Sequence, residues 1–266
     1  MTRHNIPFLK GNIYCITEGK GRCIVLLHGF LGSTGIWKHT IPYLSKSYKV
    51  IVIDLPGHGK SDCFGYAHSM ELMADAVYTA LKYFRIKKAI IAGHSMGGYV
   101  ALSFTKKYPH IIKGLCLFHS TAYPDTEEKK KDRNRAIKIV QKNPALFVRP
   151  MIKNLFAKNN LKYLKDELKM ATATALKTPP QGIIAALVGM RDRPSSIAFI
   201  QQTSLPIMMI IGKKDNILPY ESLLQQCDMI QNKECLILEY DGHFGMLENP
   251  KATAIAIRKF VRKCFQ

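Results

Sequence analysis

The sequence predicts an α/β protein with a mostly parallel, twisted sheet flanked by helices and a helical cap inserted into it. Short β-branched runs alternate with helix-like stretches, the pattern of a parallel sheet covered on both faces. This alternation stops after Phe118, and residues 122–202 carry helical patterns only. We therefore expect one core domain, residues 1–121 and 203–266, interrupted by a cap of residues 122–202.

The expected strands are short apolar runs bounded by glycine, proline or polar residues. Six of them, at residues 23–27, 50–53, 89–92, 115–118, 207–211 and 235–238, are expected to form the parallel sheet. A seventh, at residues 13–17, is expected to add an antiparallel strand at the edge.

The expected helices follow from apolar spacing and from terminal signals. Residues 69–84 repeat apolar side chains at helical intervals, another helix stops before Pro109, and the last begins at Asn249-Pro250. Within the cap, helices are expected to be separated at Asn143-Pro144, Arg149-Pro150, Thr178-Pro179-Pro180 and Arg193-Pro194.

The composition is that of an ordinary globular protein. The 266 residues are 47% hydrophobic and 22% charged, and no apolar stretch approaches the roughly 18 residues that span a bilayer. The seven cysteines are scattered and never in Cys-x-x-Cys spacing, so neither disulfides nor zinc is expected. We expect a cytoplasmic protein without membrane insertion.

The formal net charge of +20 is the most unusual property of the composition. Clustered lysines can bind a phosphate backbone, but here they recur through helix-like segments without an aromatic stacking series or a DNA-binding motif. We therefore expect a solvated lysine-rich surface and no nucleic-acid partner. Long-range attraction of anionic substrates stays open as an alternative.

The pentapeptide Gly93-His94-Ser95-Met96-Gly97 lies between an apolar run and a helix-like stretch. A Gly-x-Ser-x-Gly at such a turn raises the serine hydroxyl above the sheet as a nucleophile. A nucleophilic serine needs a base and a carboxylate that orients the base. Asp215 and His243 each follow an expected strand, and Asp241 is a rival carboxylate on the histidine's own loop. We predict the catalytic triad Ser95, Asp215 and His243.

Acyl transfer also needs two N–H groups directed at the developing oxyanion. Met96 follows the nucleophile, and Phe30 lies on a glycine-containing loop after an early strand, so their backbone N–H groups are the candidates. His28 is expected to brace that loop by hydrogen bonding. The segment of residues 54–59 is expected to be a structural turn.

These motifs together resemble the α/β-hydrolase superfamily. His28-Gly29-Phe30, Asp54-Leu-Pro-Gly-His-Gly59, the serine pentapeptide, Gly212-Lys-Lys-Asp215 and Gly242-His243 occur in the superfamily's order, across almost the whole chain. The likeness is strongest to small capped esterase-like serine hydrolases, a group that includes carbon–carbon bond hydrolases and a lyase of menaquinone synthesis. Ser95 excludes the dehalogenase and epoxide hydrolase branches, which carry aspartate at this position.

The resemblance implies hydrolysis of a small-molecule ester or thioester through an acyl-enzyme on Ser95, with no metal and no organic cofactor. Two alternatives stay open: carbon–carbon bond cleavage with the same triad, and a non-catalytic receptor that binds its ligand on this fold. The expected partner is a small ester or related carbonyl compound, and either a monomer or a homodimer fits the sequence.

The substrate-binding candidates come mainly from the cap. They are His119, Phe147, Met151, Leu187, Met190 and Phe244, with Leu146, Leu155 and Phe156 as further apolar candidates. Arg191 and Arg193 are candidates for a substrate carboxylate, although arginines near a hinge often pair locally.

Overall fold

The computed structural model describes all residues, 1–266, and contains one eight-stranded sheet in the order β1-β2-β4-β3-β5-β6-β7-β8. The strands are β1 (Thr2–Phe8), β2 (Gly11–Glu18), β3 (Cys23–Leu27), β4 (Lys49–Ile53), β5 (Ala89–His94), β6 (Ile112–Phe118), β7 (Ile207–Gly212) and β8 (Lys233–Leu238). Strands β3 to β8 are parallel, whereas β1 and β2 are antiparallel. The predicted α/β class is confirmed.

Eleven α-helices surround or extend this sheet. They are α1 (Ile41–Leu44), α2 (Met70–Tyr83), α3 (Met96–Lys107), α4 (Glu127–Lys142), α5 (Pro144–Asn154), α6 (Lys165–Leu176), α7 (Pro180–Arg191), α8 (Ile197–Gln202), α9 (Tyr220–Asp228), α10 (Gly245–Glu248) and α11 (Pro250–Cys264). Helices α2 and α3 pack together, as do α1 and α11, and α3 and α11 both contact β5 and β6. No helix is both long enough and apolar enough to cross a membrane.

The central strands carry continuous apolar sequence because helices cover them. Every residue of β3, β5 and β7 is buried, as expected of parallel strands without a solvated face. Burial of their side chains supplies the main hydrophobic stabilisation of the core.

The edge of the sheet differs from the expectation. The strand at residues 13–17 exists as β2, but it lies between β1 and β4, and β1 forms the edge. The sequence of β1 is mostly polar and contains Pro7, and only Ile6 and Phe8 are buried. An edge strand needs only one covered face and tolerates proline, so its sequence lacks the signal of the central strands.

The segment between β6 and β7 contains helices α4 to α8 and no strand, as predicted. Helices α5 and α7 begin at Pro144 and Pro180, at two of the expected breaks. The expected break at Arg149-Pro150 is wrong, because Pro150 lies inside α5. Val148 and Ile152, on either side of it, are buried, and this packing offsets the hydrogen bond that the proline removes.

Candidate active site

The serine of the pentapeptide lies at the turn between β5 and α3. Its backbone has φ 49° and ψ −116°, a conformation that residues other than glycine rarely adopt. The Ser95 N–H donates to Phe118 O at 2.9 Å, and Ser120 Oγ donates to Ser95 O at 2.8 Å. Strand β6 and the residues after it therefore hold the turn in this strained form.

The glycines of the pentapeptide are needed for close packing. A Cβ on Gly93 would overlap the backbone of Gly97, and a Cβ on Gly97 would lie 2.6 Å from the carbonyl oxygen of His28. Glycine at position 93 therefore lets the turn close on itself, and glycine at position 97 lets the turn pack against the end of β3 and the loop after it.

Asp215 and His243 form a direct pair at the carboxyl ends of β7 and β8. His243 Nδ1 donates to Asp215 Oδ2 at 2.7 Å. Asp215 Oδ1 accepts from the N–H groups of Ile217 at 2.7 Å and Leu218 at 3.1 Å. Burial alone would raise the pKa of Asp215, but His243 and these hydrogen bonds lower it below its usual value. The carboxylate therefore stays ionised. Because it binds His243 through Nδ1, the other ring nitrogen, Nε2, stays free.

The backbone of His243 is fixed from two directions. Its N–H donates to Leu155 O at 2.7 Å, and its carbonyl oxygen accepts from His94 Nε2 at 2.8 Å. Ser95 and His243 line the same cavity. Ser95 Oγ and His243 are not hydrogen-bonded in this structure, which is common before a substrate binds.

Asp241 does not pair with His243. Burial and the neighbouring Glu248 raise the pKa of Asp241 to about 6, and its Oδ2 is buried without a partner. Among the two carboxylates considered from the sequence, only Asp215 is positioned to orient the imidazole.

The two predicted oxyanion donors flank Ser95. Met96 is the first residue of α3, so its N–H has no partner within the helix. The Phe30 N–H donates to no protein acceptor. Gly29 brings this loop close to Ser95, since a Cβ there would lie 3.1 Å from Ser95 Cβ.

The loop of Phe30 is braced as expected. His28 Nδ1 donates to Gly29 O at 2.7 Å, and His28 Nε2 accepts from Leu55 N at 2.9 Å. The Asp54 carboxylate accepts from Thr34 N at 2.6 Å and Lys60 N at 2.9 Å. The turn after β4 therefore supports the loop after β3 and reaches no reacting atom.

A cavity of about 240 Å³ opens over Ser95 and His243. It is lined by Phe30, His94, Ser95, Tyr99, Lys129, Asp132, Arg133, Ala136, Phe147, Met151, Leu155, Leu187, Met190, Ile217, Leu218 and His243. Four of the six substrate-binding candidates are in this wall: Phe147, Met151, Leu187 and Met190. Most of the wall is apolar, and the helices between β6 and β7 supply much of it.

His119 and Phe244 do not line the cavity, which corrects the expectation for both. His119 Nδ1 accepts from Gly212 N at 3.1 Å and lies 3.7 Å from Asp215 Oδ2, so the ring packs behind the carboxylate. Phe244 stacks on His94, with 5.5 Å between ring centroids, and is buried beneath the His243 loop. Both follow strand ends, but their side chains turn away from the cavity.

The two arginine candidates are paired elsewhere. Arg191 donates to Asp192 and Asn134. Arg193 donates to Asp125 and to backbone carbonyls, and its guanidinium lies 3.9 Å from the centre of the Tyr99 ring. Local pairing therefore accounts for the positions of both arginine side chains, and neither is directed at a substrate carboxylate.

Sequence reasoning missed several wall residues. Tyr99, Ala136, Ile217 and Leu218 are apolar or aromatic residues that resemble ordinary core. Lys129, Asp132 and Arg133 belong to a highly charged helix that resembles a solvated surface. Only their position facing the cavity distinguishes them, and the sequence carries no separate signal for it.

A parallel sheet with a serine on a strand–helix turn, an Asp–His pair after later strands and a helical insert defines a hydrolase-type α/β protein. The chain belongs to the alpha/beta hydrolase fold family, Abhydrolase_1, whose model matches residues 22–250.

The chain is similar to two esterases of known structure and to a hydrolase known from its sequence. A thermophilic esterase from Thermogutta terrifontis, solved with malate bound, is 29% identical, with a TM-score of 0.93 over 100% of both chains. An esterase from Exiguobacterium antarcticum shares the fold at 19% identity, with a TM-score of 0.88 over 97% of this chain and 98% of that one. A 2-hydroxy-6-oxo-6-(2'-aminophenyl)hexa-2,4-dienoic acid hydrolase from Metapseudomonas resinovorans is 24% identical over 93% of this chain and 87% of its own length.

Proposed function

We propose that this α/β-hydrolase is a serine esterase that cleaves a small-molecule carboxylic ester or thioester through an acyl-enzyme on Ser95. The observation that carries the proposal is the buried His243–Asp215 pair at 2.7 Å, whose histidine lines the same cavity as Ser95. The similarity to the thermophilic esterase, at 29% identity over the whole chain, supports an ester as substrate.

In the first half-reaction, His243 Nε2 takes the proton of Ser95 as Oγ attacks the carbonyl carbon. Asp215 holds the imidazole through Nδ1 and offsets its new positive charge, and the carboxylate's two backbone N–H bonds fix its own position. The N–H groups of Phe30 and Met96 stabilise the tetrahedral oxyanion. His243 then protonates the departing alcohol or thiol, and the acyl group remains on Ser95.

In the second half-reaction, water replaces the alcohol. His243 takes a proton from the water as its oxygen attacks the acyl carbonyl, and the oxyanion forms again beside Phe30 and Met96. Collapse of this intermediate breaks the bond to Ser95 Oγ, which recovers its proton from His243. With the substrate and one water molecule as reactants, these steps balance.

Residues 122–202 act as the cap in this scheme, and residues 1–121 and 203–266 as the core. Phe147, Met151, Leu187 and Met190 give the cavity its apolar wall, which suits a hydrocarbon part of the substrate. Leu155 couples the cap to catalysis, because its carbonyl accepts the His243 N–H.

Steady-state hydrolysis of p-nitrophenyl esters by Ser95→Ala tests the proposal. We expect kcat to fall by at least about a thousandfold, since loss of a triad member disables the group as a unit. Ser47→Ala is the matched control, because Ser47 is an exposed serine in the loop before β4. A Ser95→Ala protein that kept most of the activity of the Ser47→Ala control would refute the assignment.

Carbon–carbon bond hydrolysis is the second candidate, favoured by the M. resinovorans relative, which matches 93% of this chain. The same serine and histidine would serve that reaction. A panel of acyl esters, thioesters and vinylogous diketones, run with wild type and Ser95→Ala, separates the two. Higher kcat/KM for carboxylate-bearing diketones than for every ester would favour the second candidate.

A further inference from the structure

An outer groove of about 470 Å³ lies beside the catalytic cavity. The two spaces share four wall residues: Tyr99, Lys129, Ile217 and Leu218. These residues form the boundary between the cavity that holds Ser95 and the groove, so a substrate longer than the cavity would extend towards the groove across this boundary.

The two spaces differ in the residues that line them, although the exposed surface of each is mostly apolar. The catalytic cavity is mostly apolar, whereas the groove adds polar and charged residues that include Thr126, Arg193 and Ser222. This arrangement suits a molecule with an apolar part near Ser95 and a polar group at its far end.

Of the charged residues that line the two spaces, only Lys129 makes no ion pair. Arg133 and Arg193 both bind the Asp125 carboxylate, and the Arg193–Asp125 distance is 2.6 Å. Asp132 is paired with Arg135.

Lys129 has no carboxylate within 4.0 Å, and its Nζ reaches only the Ile217 carbonyl oxygen, at 3.5 Å. A bond of that length lies beyond the usual range, so an anion could displace it readily. The side chain is exposed and can turn towards the cavity or the groove without losing an ion pair. Lys129 is thus an uncompensated ammonium group at the boundary of the two spaces.

We infer that Lys129 binds an ionised carboxylate of the substrate. This carboxylate is remote from the scissile ester bond and is not the acid group that forms that bond. This inference rests on the proposed esterase function and names its substrate class: esters whose acyl or alcohol part ends in a carboxylate. The ammonium group gives such a substrate a charge-assisted hydrogen bond. The formal net charge of +20 would also attract it from solution.

Two esters with acyl chains of equal length test the inference: p-nitrophenyl valerate, which ends in a methyl group, and mono-p-nitrophenyl glutarate, which ends in a carboxylate. The readout is the ratio of kcat/KM for the glutarate to that for the valerate. Lys129→Met is expected to lower this ratio about tenfold, the effect of one partly exposed charged hydrogen bond. Lys129→Arg should retain most of it.

Lys130→Met is the matched control. Lys130 is the neighbouring residue on α4, its Nζ donates to Glu127 at 2.7 Å, and it lines neither space. Both variants remove one positive charge, so a general effect of net charge would lower the ratio equally in the two. That result would overturn the inference, as would a ratio unchanged in Lys129→Met.

A different result would refute the esterase proposal. Wild type that cleaves neither ester would overturn the proposed function. If the wild type cleaves the valerate ester through Ser95 and shows the same glutarate-to-valerate ratio of kcat/KM as Lys129→Met, only the carboxylate subsite would be overturned.

Discussion

Acid should unfold this protein, because the fold buries imidazoles whose pKa values burial lowers. His28, His58, His68, His94 and His119 are each at most 1% exposed. Burial lowers the pKa of all five, to about 3 for His58 and His119 and to about 4 for His68. In the unfolded chain each would bind a proton near pH 6.5. Their neutral forms therefore stabilise the fold above pH 6.5, and this stability is lost as the pH falls towards the folded-state pKa values.

The expected loss is large compared with the stability of a domain. One pH unit below 6.5, each imidazole favours the unfolded state by up to about 1.4 kcal/mol, so the five together cost up to about 7 kcal/mol. Domains of this kind have total stabilities of roughly 5–15 kcal/mol. We expect the free energy of unfolding to fall by several kcal/mol between pH 7.0 and 5.5.

Urea unfolding at the two pH values measures this change. Trp37 is the single tryptophan, is fully buried and packs on Phe118, with 5.6 Å between ring centroids, so its fluorescence reports on the core. A free energy of unfolding that changed by less than about 1 kcal/mol would refute the reasoning, since the buried rings would then differ little in proton binding from the unfolded chain.

A pair of variants separates this effect from general acid sensitivity. His58→Gln removes one buried imidazole and should reduce the slope of stability against pH by about 1.4 kcal/mol per unit. His110→Gln removes an exposed histidine and should leave the slope unchanged.

Three further predictions concern the active site and the insert. Asp215→Asn should lower kcat on p-nitrophenyl esters about 10⁴-fold, whereas Asp241→Asn should stay within about threefold, because only Asp215 contacts His243; equal losses would contradict the assignment. Gly97→Ala should lower Tm and kcat together, since its Cβ would lie 2.6 Å from a backbone oxygen. Arg193→Met should destabilise the protein by about 3 kcal/mol in thermal unfolding, because it leaves buried Asp125 with Arg133 alone; an unchanged Tm would show that the ion pair contributes little.

Burial decided which parts of the fold the sequence could predict. Strands β3 to β7 can be located from the sequence because their buried residues form short apolar runs. Strand β8 can be located by its apolar run at residues 235–238, although only Leu238 in that run is buried. The sequence does not predict β1, because an exposed edge strand imposes no such pattern, and it wrongly predicts a break at Pro150, because tertiary packing keeps α5 intact around this proline. In both cases contacts distant in sequence override the local signal.

The candidate site, too, could be predicted only where the local sequence carries a signal. The approach of Asp215 to His243 could be predicted because both follow neighbouring parallel strands. His119 also follows a strand, yet its ring points behind Asp215, since position at a sheet edge does not fix side-chain direction. Lys129 could not be found at all, because a lysine in a charged helix shows its role only when the helix faces a cavity.

Covalent labelling tests the central claim most directly. Wild-type protein is incubated with a serine-reactive fluorophosphonate, digested, and mapped by mass spectrometry. Activation of Ser95 by His243 and Asp215 predicts a single adduct on the peptide that contains Ser95, and much slower labelling in Asp215→Asn. Wild-type protein that stayed unlabelled at Ser95, while retaining its folded Trp37 fluorescence, would contradict the claim and favour a ligand-binding receptor on this fold.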